Sequence, residues 1–248
     1  MIKSIVAGNW KMNKTPKEGK LFISEVLANI DDIINVDIIF CPPFTGLHNL
    51  DISPPFFLGA QNCYFKDGGA YTGEISLSML LECNVKYVII GHSERRQIFN
   101  EENDSINKKV LKVLESGIKP ILCIGETLDE MNAGKAHNII KEQLISGLNG
   151  IKSLNNIIIA YEPVWAIGTG LTASSEQINE VHILIRKILS QLYDDKESKS
   201  TPILYGGSVN SANANELISI DGVNGFLIGG ASLDVVNFLE VVKVVNDQ

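Results

Sequence analysis

Glu162 stands at the end of an apolar run, Asn156-Ile157-Ile158-Ile159-Ala160, and is followed by Pro163, Trp165, Gly168 and Gly170. A lone carboxylate on a rigid strand, beneath a segment that starts with a stiff proline, carries a bulky aromatic and ends on two glycines, suits a base under a hinged, water-excluding flap. An isolated glutamate at a strand end is ordinarily a solvated surface group. The tryptophan argues otherwise here, because a plain connecting turn has no use for a large aromatic. His92 follows Tyr87-Val88-Ile89-Ile90-Gly91 and opens a helix that Ser93 is placed to cap. There the positive end of the helix dipole disfavours the imidazolium and leaves a neutral ring, able to donate a hydrogen bond to a developing oxyanion. Lys11 lies just past the first apolar run, beside Asn9 and Trp10, where an ammonium can stabilise an oxyanion or a phosphate. Lys17 and Lys20 read as solvated surface cations. His48, His137 and His182 read as packed structural histidines, since no polar cluster surrounds them in the sequence.

Glycines supply the other half of the chemistry. Gly206-Gly207-Ser208 and Gly229-Gly230-Ala231 each fall between a strand and a following helix. Glycine lets backbone N–H groups approach an anion closely, and a helix N-terminus favours negative charge. One such pair would be an ordinary tight turn; two, on the last two strands, point to phosphate. Gly168-Thr169-Gly170-Leu171-Thr172-Ala173 formally matches a dinucleotide fingerprint. It starts several residues after its strand, and the residues some twenty positions on read as helix, so that assignment fails. Glu94 and Glu126 could make a glycosidase-like carboxylate pair, but the strand ends carry glycine and serine instead of aromatic sugar platforms. No metal-ligand spacing is present, and no metal is expected.

These residues need elements that bring them together. Short β-branched runs alternate with longer amphipathic stretches through all 248 residues. The strands are expected at Ile5–Asn9, Val36–Cys41, Phe57–Gln61, Tyr87–Gly91, Pro120–Ile124, Ile157–Tyr161, Ile203–Gly206 and Phe226–Ile228. Helical periodicity covers Lys17–Ile30, Asp104–Glu115, Ala136–Leu148, Glu176–Leu192 and Asp234–Val245. Eight buried parallel strands with no composition break predict one closed (β/α)8 barrel domain, residues 1–248, in preference to an open doubly wound sheet. All strand carboxyl ends of such a barrel open on one face, so Asn9, Lys11, His92, Glu94, Glu126, Glu162, Ser208 and the glycines would converge on one mouth.

A net charge of −8 argues against a nucleic-acid or anionic-membrane binder but leaves room for a small anion. No apolar stretch approaches bilayer-spanning length, no signal-peptide pattern precedes the first strand, and four scattered cysteines predict reduced thiols in a cytoplasmic protein. From Cys63 to Glu74 runs a long connection with Tyr64, Phe65, Tyr71 and Thr72, whose aromatics, if exposed, mark a partner surface.

Taken in order, Gly8-Asn9-Trp10-Lys11-Met12-Asn13, Gly91-His92-Ser93-Glu94-Arg95-Arg96, Ala160–Gly170, Tyr205-Gly206-Gly207-Ser208-Val209 and Gly229-Gly230-Ala231-Ser232-Leu233 resemble the signatures of the triosephosphate isomerase family across essentially the whole chain. The resemblance implies a TIM barrel that interconverts dihydroxyacetone phosphate and glyceraldehyde 3-phosphate in glycolysis and gluconeogenesis, without a cofactor. It implies Glu162 as the base, His92 as the neutral electrophile, and Asn9 and Lys11 as the oxyanion site supported by Glu94. Phosphate would rest on the amides of Gly168, Gly229 and Gly230, with Ser208 beside them. Ile167 and Leu227 would press on Glu162, desolvating it and strengthening it as a base. A flap from about Pro163 to Ala173 would close over the substrate, and Leu171, where many relatives carry lysine, bears on its timing. The resemblance further implies a homodimer, with the loop tip around Thr72 entering the partner's pocket beside Lys11. Two rivals differ in what they require. Another phosphate-binding barrel isomerase would not need the Glu-Pro-Val-Trp flap, and a barrel kept only for binding would lack at least one of Asn9, Lys11, His92 or Glu162.

Overall fold

The computed structural model describes residues 2–30, 35–48, 50, 52–167 and 173–248. Eight parallel strands close on themselves in sequence order: β1 (Ser4–Asn9), β2 (Val36–Cys41), β3 (Phe56–Ala60), β4 (Val85–Ile90), β5 (Lys119–Ile124), β6 (Ile158–Tyr161), β7 (Ile203–Tyr205) and β8 (Gly225–Ile228). Closure is made by β1 on β8, with Ile5 opposite Gly225 and Ala7 opposite Leu227. Around the barrel lie α1 (Pro16–Ala28), α2 (Leu77–Glu82), α3 (Ser93–Gln97), α4 (Asn103–Glu115), α5 (Leu128–Asn132), α6 (Ala136–Gly147), α7 (Ser175–Leu192), α8 (Asp195–Ser200), α9 (Ala214–Ile218) and α10 (Val235–Asn246). The expected (β/α)8 architecture is the one observed.

The period of two along each strand divides the core into two shells. Val6, Ile38, Phe40, Val88, Ile90, Leu122, Ile159 and Phe226 point outward and pack under the helices. Ile5, Ala7, Ile39, Cys41, Tyr87, Ile89, Ile121, Cys123, Ile158, Ala160, Leu204 and Leu227 point inward and fill the barrel. Helix starts follow their local chemistry. Thr15 and Glu18 form a capping box ahead of Pro16 on α1, and Ser174 and Gln177 do the same for α7.

The histidines expected to be packed divide. His182 is completely buried on α7, its Nδ1 against the Gly222 carbonyl. His48 and His137 are exposed, and His137 Nε2 lies 3.2 Å from the Glu180 carboxylate. His137 sits on the outer face of α6, where nothing covers it. Burial, with Arg186 nearby, pushes the His182 imidazole down to about 4 from an ordinary 6.5. The unfolded chain therefore binds a proton that the folded chain refuses. The stability from a neutral His182 is complete above about pH 6.5 and is lost as pH falls toward 4. The loss amounts to roughly 3 kcal/mol. His182→Gln is expected to flatten the urea-midpoint profile between pH 7.5 and about 4.5; an unchanged acid slope would assign that slope to other groups.

Candidate active site

The inward phase of the strands carries on past their carboxyl ends. Asn9, Gly91, Gly125, Glu162, Gly206 and Gly229 stand two residues beyond inward-facing Ala7, Ile89, Cys123, Ala160, Leu204 and Leu227. Four of these six are glycines, so the top layer of the barrel is left hollow. The result is a cavity of about 450 Å³ lined by Asn9, Lys11, His92, Glu162, Ile167, Ser208, Leu227, Gly229 and Gly230, among others. Gly168 and Leu171 lie outside the described residues.

Glu162 is buried at 2% exposure and makes two contacts to one turn. Its Oε1 lies 3.1 Å from His92 Nε2, and its Oε2 accepts the Ser93 amide at 3.0 Å. Two glycines shape the space around it. A Cβ on Gly125 would lie 1.7 Å from the Glu162 carbonyl oxygen, and one on Gly206 would lie 2.9 Å from Glu162 Cγ. Beneath the carboxylate sits Cys123, whose thiol is pushed well up by burial and then by the Glu162 charge.

His92, and not Ser93, caps α3. Its Nδ1 accepts the Glu94 amide at 3.2 Å, and Ser93 is the first helical residue. An N–H can only donate, so Nδ1 is the unprotonated nitrogen of a neutral ring and Nε2 carries the hydrogen. The imidazole thereby presents a donor to the cavity.

Lys11 has a left-handed backbone, φ +52°, and its amide donates to Asn9 Oδ1 at 3.1 Å. Its ammonium reaches Glu94 Oε1 at 2.7 Å. Gln61 Nε2 holds this conformation by donating to the carbonyls of both Lys11 and Cys41, at 2.8 and 2.9 Å. Sequence reading gave Gln61 no role, because its partners are backbone atoms of distant strands.

The two glycine loops differ. Both Gly206 and Gly207 are closely packed: a Cβ on Gly206 would press on the Glu162 side chain, and one on Gly207 would lie 2.2 Å from the Tyr205 hydroxyl. The Ser208 hydroxyl donates to the Ala166 carbonyl at 2.7 Å and so ties β7 to the segment after β6. A Cβ on Gly230 meets nothing within 4 Å. Gly230 opens a short 3₁₀ turn, Gly230–Leu233, whose first N–H groups have no partner within the turn. Free N–H groups of this kind, facing open space, are able to receive an anion. Asp234 and Asn237, which sequence reading passed over, also line the cavity.

Glu126 does not line it. Buried at 2% exposure, its Oε1 accepts the Tyr161 hydroxyl at 3.2 Å and Trp165 Nε1 at 2.8 Å, while burial raises its pKa. A glycosidase-like pair is thereby removed, and Trp165 gains its reason: it anchors the segment after Glu162 to β5's end. Tyr64 and Phe65 are half-buried, with ring centroids 4.4 Å apart, and Tyr71 alone of the three loop aromatics is exposed, as is Thr72. The loop's own aromatic stacking covers what the sequence suggested was open.

Residues 4–245 match the family model described as triosephosphate isomerase. The chain belongs to the triosephosphate isomerase family. Relatives named triosephosphate isomerase include one from Alkaliphilus metalliredigens, 47% identical over 248 residues, covering 98% of this chain and 100% of the relative. Others come from Chlorobium phaeobacteroides, 46% identical over 98% of this chain and 99% of the relative, and Aquifex aeolicus, 46% identical over 97% and 99%. Membership in the triosephosphate isomerase family makes the chain an isomerase, the class the resemblance implied. Among the described residues no helix is long and apolar enough to cross a membrane.

Proposed function

We propose that this isomerase interconverts dihydroxyacetone phosphate and glyceraldehyde 3-phosphate through an enediolate, with Glu162 as the base. The observation that carries the reading is a buried carboxylate 3.1 Å from the Nε2 of a neutral imidazole, both facing one cavity with Lys11 and an open glycine turn.

At rest the Glu162 carboxylate is held by His92 and the Ser93 amide. To react it leaves them, takes the proton from the carbon next to the substrate carbonyl, and returns it to the neighbouring carbon. His92 donates from Nε2 to the carbonyl oxygen as negative charge builds there. It also shuttles the hydroxyl proton of the enediolate from one oxygen to the other, so that the old carbonyl ends as a hydroxyl and the old hydroxyl as a carbonyl. Lys11, oriented by Glu94 and by the hydrogen bond its backbone amide donates to Asn9 Oδ1, adds a positive charge to the same oxyanion. The phosphate rests on the turn at Gly229 and Gly230, and Gly168 is assigned to the same cradle. Ser208 serves it by holding the flap's base at Ala166. Ile167 and Leu227 keep the base dry. Closure of the flap matters because an enediolate phosphate open to water can expel its phosphate. The work is done in the cytoplasm, as a step of glycolysis and gluconeogenesis, by a single barrel domain.

The test is coupled-assay turnover of glyceraldehyde 3-phosphate by the purified chain, with and without a chelator. Fast chelator-insensitive isomerisation, competitively inhibited by inorganic phosphate, is expected. A folded protein without turnover would refute the assignment.

We further infer a homodimer joined through the loop around Thr72. Exposed Thr72 and Tyr71 at the loop tip, with Met12 at 95% exposure beside Lys11, support a partner surface there. Sedimentation at assay concentration should give twice the chain mass; a fully active monomer would exclude the dimer as a requirement.

A further inference from the structure

Arg96 is a half-buried cation that the chemistry above leaves unused. It lies on α3, four residues after His92, and its guanidinium meets three oxygens, none of them a carboxylate. Nε donates to the Gly91 carbonyl at 2.7 Å, Nη2 to the Cys123 carbonyl at 3.0 Å, and Nη1 to Asn103 Oδ1 at 2.7 Å. The pairing of β4 with β5 ends at Ile90 opposite Leu122. The guanidinium thus joins the two strands one residue beyond their last pair. Gly91 has φ +71°, and a Cβ there would lie 3.0 Å from Arg96 Nη2 and 3.1 Å from Ile106 Cδ1. The guanidinium therefore packs directly on the glycine that precedes His92.

This placement is costly. Burial lowers the Arg96 pKa, and the charges of Cys123, Glu162 and Glu101 only partly oppose it. A partly desolvated cation held by neutral oxygens is a poor way to gain stability, and apolar side chains of similar volume commonly do as well. What a planar fork does better is fix two acceptors at one spacing. Of those acceptors, the Gly91 carbonyl belongs to the peptide that leads into His92. The Cys123 carbonyl belongs to the residue beneath Glu162.

We propose that Arg96 is a positioning residue: by stapling the Gly91 carbonyl to the Cys123 carbonyl it fixes the peptide plane that aims His92 Nε2 and the Ser93 amide at Glu162. The inference rests on the isomerase reading above. Asn103, at the first position of α4, orients the fork through Nη1.

The experiment compares wild type with Arg96→Lys, Arg96→Ala and Asn103→Ala in the isomerase assay, after circular dichroism has established which variants fold. Folded Arg96 variants should lose kcat by about ten- to a hundredfold, the scale of a misplaced catalytic group. KM and inhibition by inorganic phosphate should stay within about twofold, because the phosphate cradle lies across the mouth. Lysine should do no better than alanine, since one ammonium cannot reproduce the fork. Added guanidinium should restore part of the Arg96→Ala turnover.

Wild-type kcat in a folded Arg96→Ala, or full recovery by lysine, would overturn the staple. Should both Arg96 variants fail to fold, Asn103→Ala decides. A few-fold loss of kcat at constant KM supports the proposal, and an unchanged kcat assigns Arg96 to stability alone. A second readout is independent of turnover: the Ser93 amide proton, hydrogen-bonded to Glu162, should shift in Arg96→Lys or Asn103→Ala. An inactive wild type would refute the isomerase reading, while an unmoved Ser93 amide would refute the staple.

Discussion

Glu162→Asp is expected to lower kcat by about a hundredfold or more while leaving KM within a few-fold. Aspartate keeps the charge and the burial but retracts the carboxylate by one methylene. The oxygens that now lie 3.1 Å from His92 Nε2 and 3.0 Å from the Ser93 amide would no longer reach that turn. Substrate affinity should survive, because the phosphate is assigned to Gly229 and Gly230 after β8, two strands round the barrel from Glu162. Steady-state kinetics in both directions checks the split between kcat and KM. Undiminished kcat would mean that some other group takes the proton, and no second buried carboxylate lines this cavity among the described residues.

The second large effect is a contrast between two glycines that touch the same residue. An alanine methyl at Gly125 would collide with the Glu162 backbone at 1.7 Å. Backbone at adjoining strand ends has nowhere to go, so Gly125→Ala should cost about 3–5 kcal/mol, beyond ordinary overpacking. At Gly206 the same methyl would press chiefly on Glu162 Cγ, at 2.9 Å, with the Tyr161 carbonyl oxygen farther off at 3.2 Å. A side chain can rotate away, so Gly206→Ala should cost about 1 kcal/mol in stability but reduce kcat by roughly ten- to a hundredfold, because the base itself is displaced. Urea melts and kinetics on the two variants separate the cases. Equal stability losses, or a fully active Gly206→Ala, would contradict this account of the hollow top layer.

How much of this was legible in the sequence depends on where each residue's partners lie. The β2 boundaries, Val36–Cys41, were readable because that run is apolar except for Asp37 and ends at Pro42. At β3 the expected Phe57–Gln61 is one residue late, and the register with β4 slips between Leu58 and Gly59. At β4 the expected Tyr87–Gly91 misses Val85 and Lys86. Lys86 interrupts the apolar run, and Gly91, with φ +71°, cannot continue a strand. Glu162, His92, Asn9 and Lys11 were legible because they follow strand ends directly, and a barrel brings all such ends to one mouth.

Residues with distant partners were not. Gln61 and Arg96 bind carbonyls, which every residue possesses and no residue letter records. Lys109 lies on α4 with nothing in the sequence to single it out, yet it is buried at 2% exposure between Glu101 and Asn62 Oδ1. The phosphate role expected of Gly206 and Gly207 has a competing reason in the packing around both glycines, which line the cavity as well. Glycine next to a strand end answers equally to a ligand and to a neighbouring side chain, and only coordinates distinguish the two.

The inner shell of the barrel holds Cys41 and Cys123, while Cys63 is buried at the root of the long loop and Cys83 is partly exposed. Burial holds the Cys63 thiol up at about 12 and pushes Cys41 and Cys123 up as well. Only a thiolate reacts with an alkylating reagent, so in the closed barrel these three are silent. Cys41 and Cys123 can be modified only when strands β2 and β5 part from their neighbours, which makes their alkylation rate a clock for opening of the barrel itself. Cys63 times the loosening of the loop beside it. The chain thus carries built-in reporters of its own breathing, with Cys83 as the reference that runs whether or not the barrel opens.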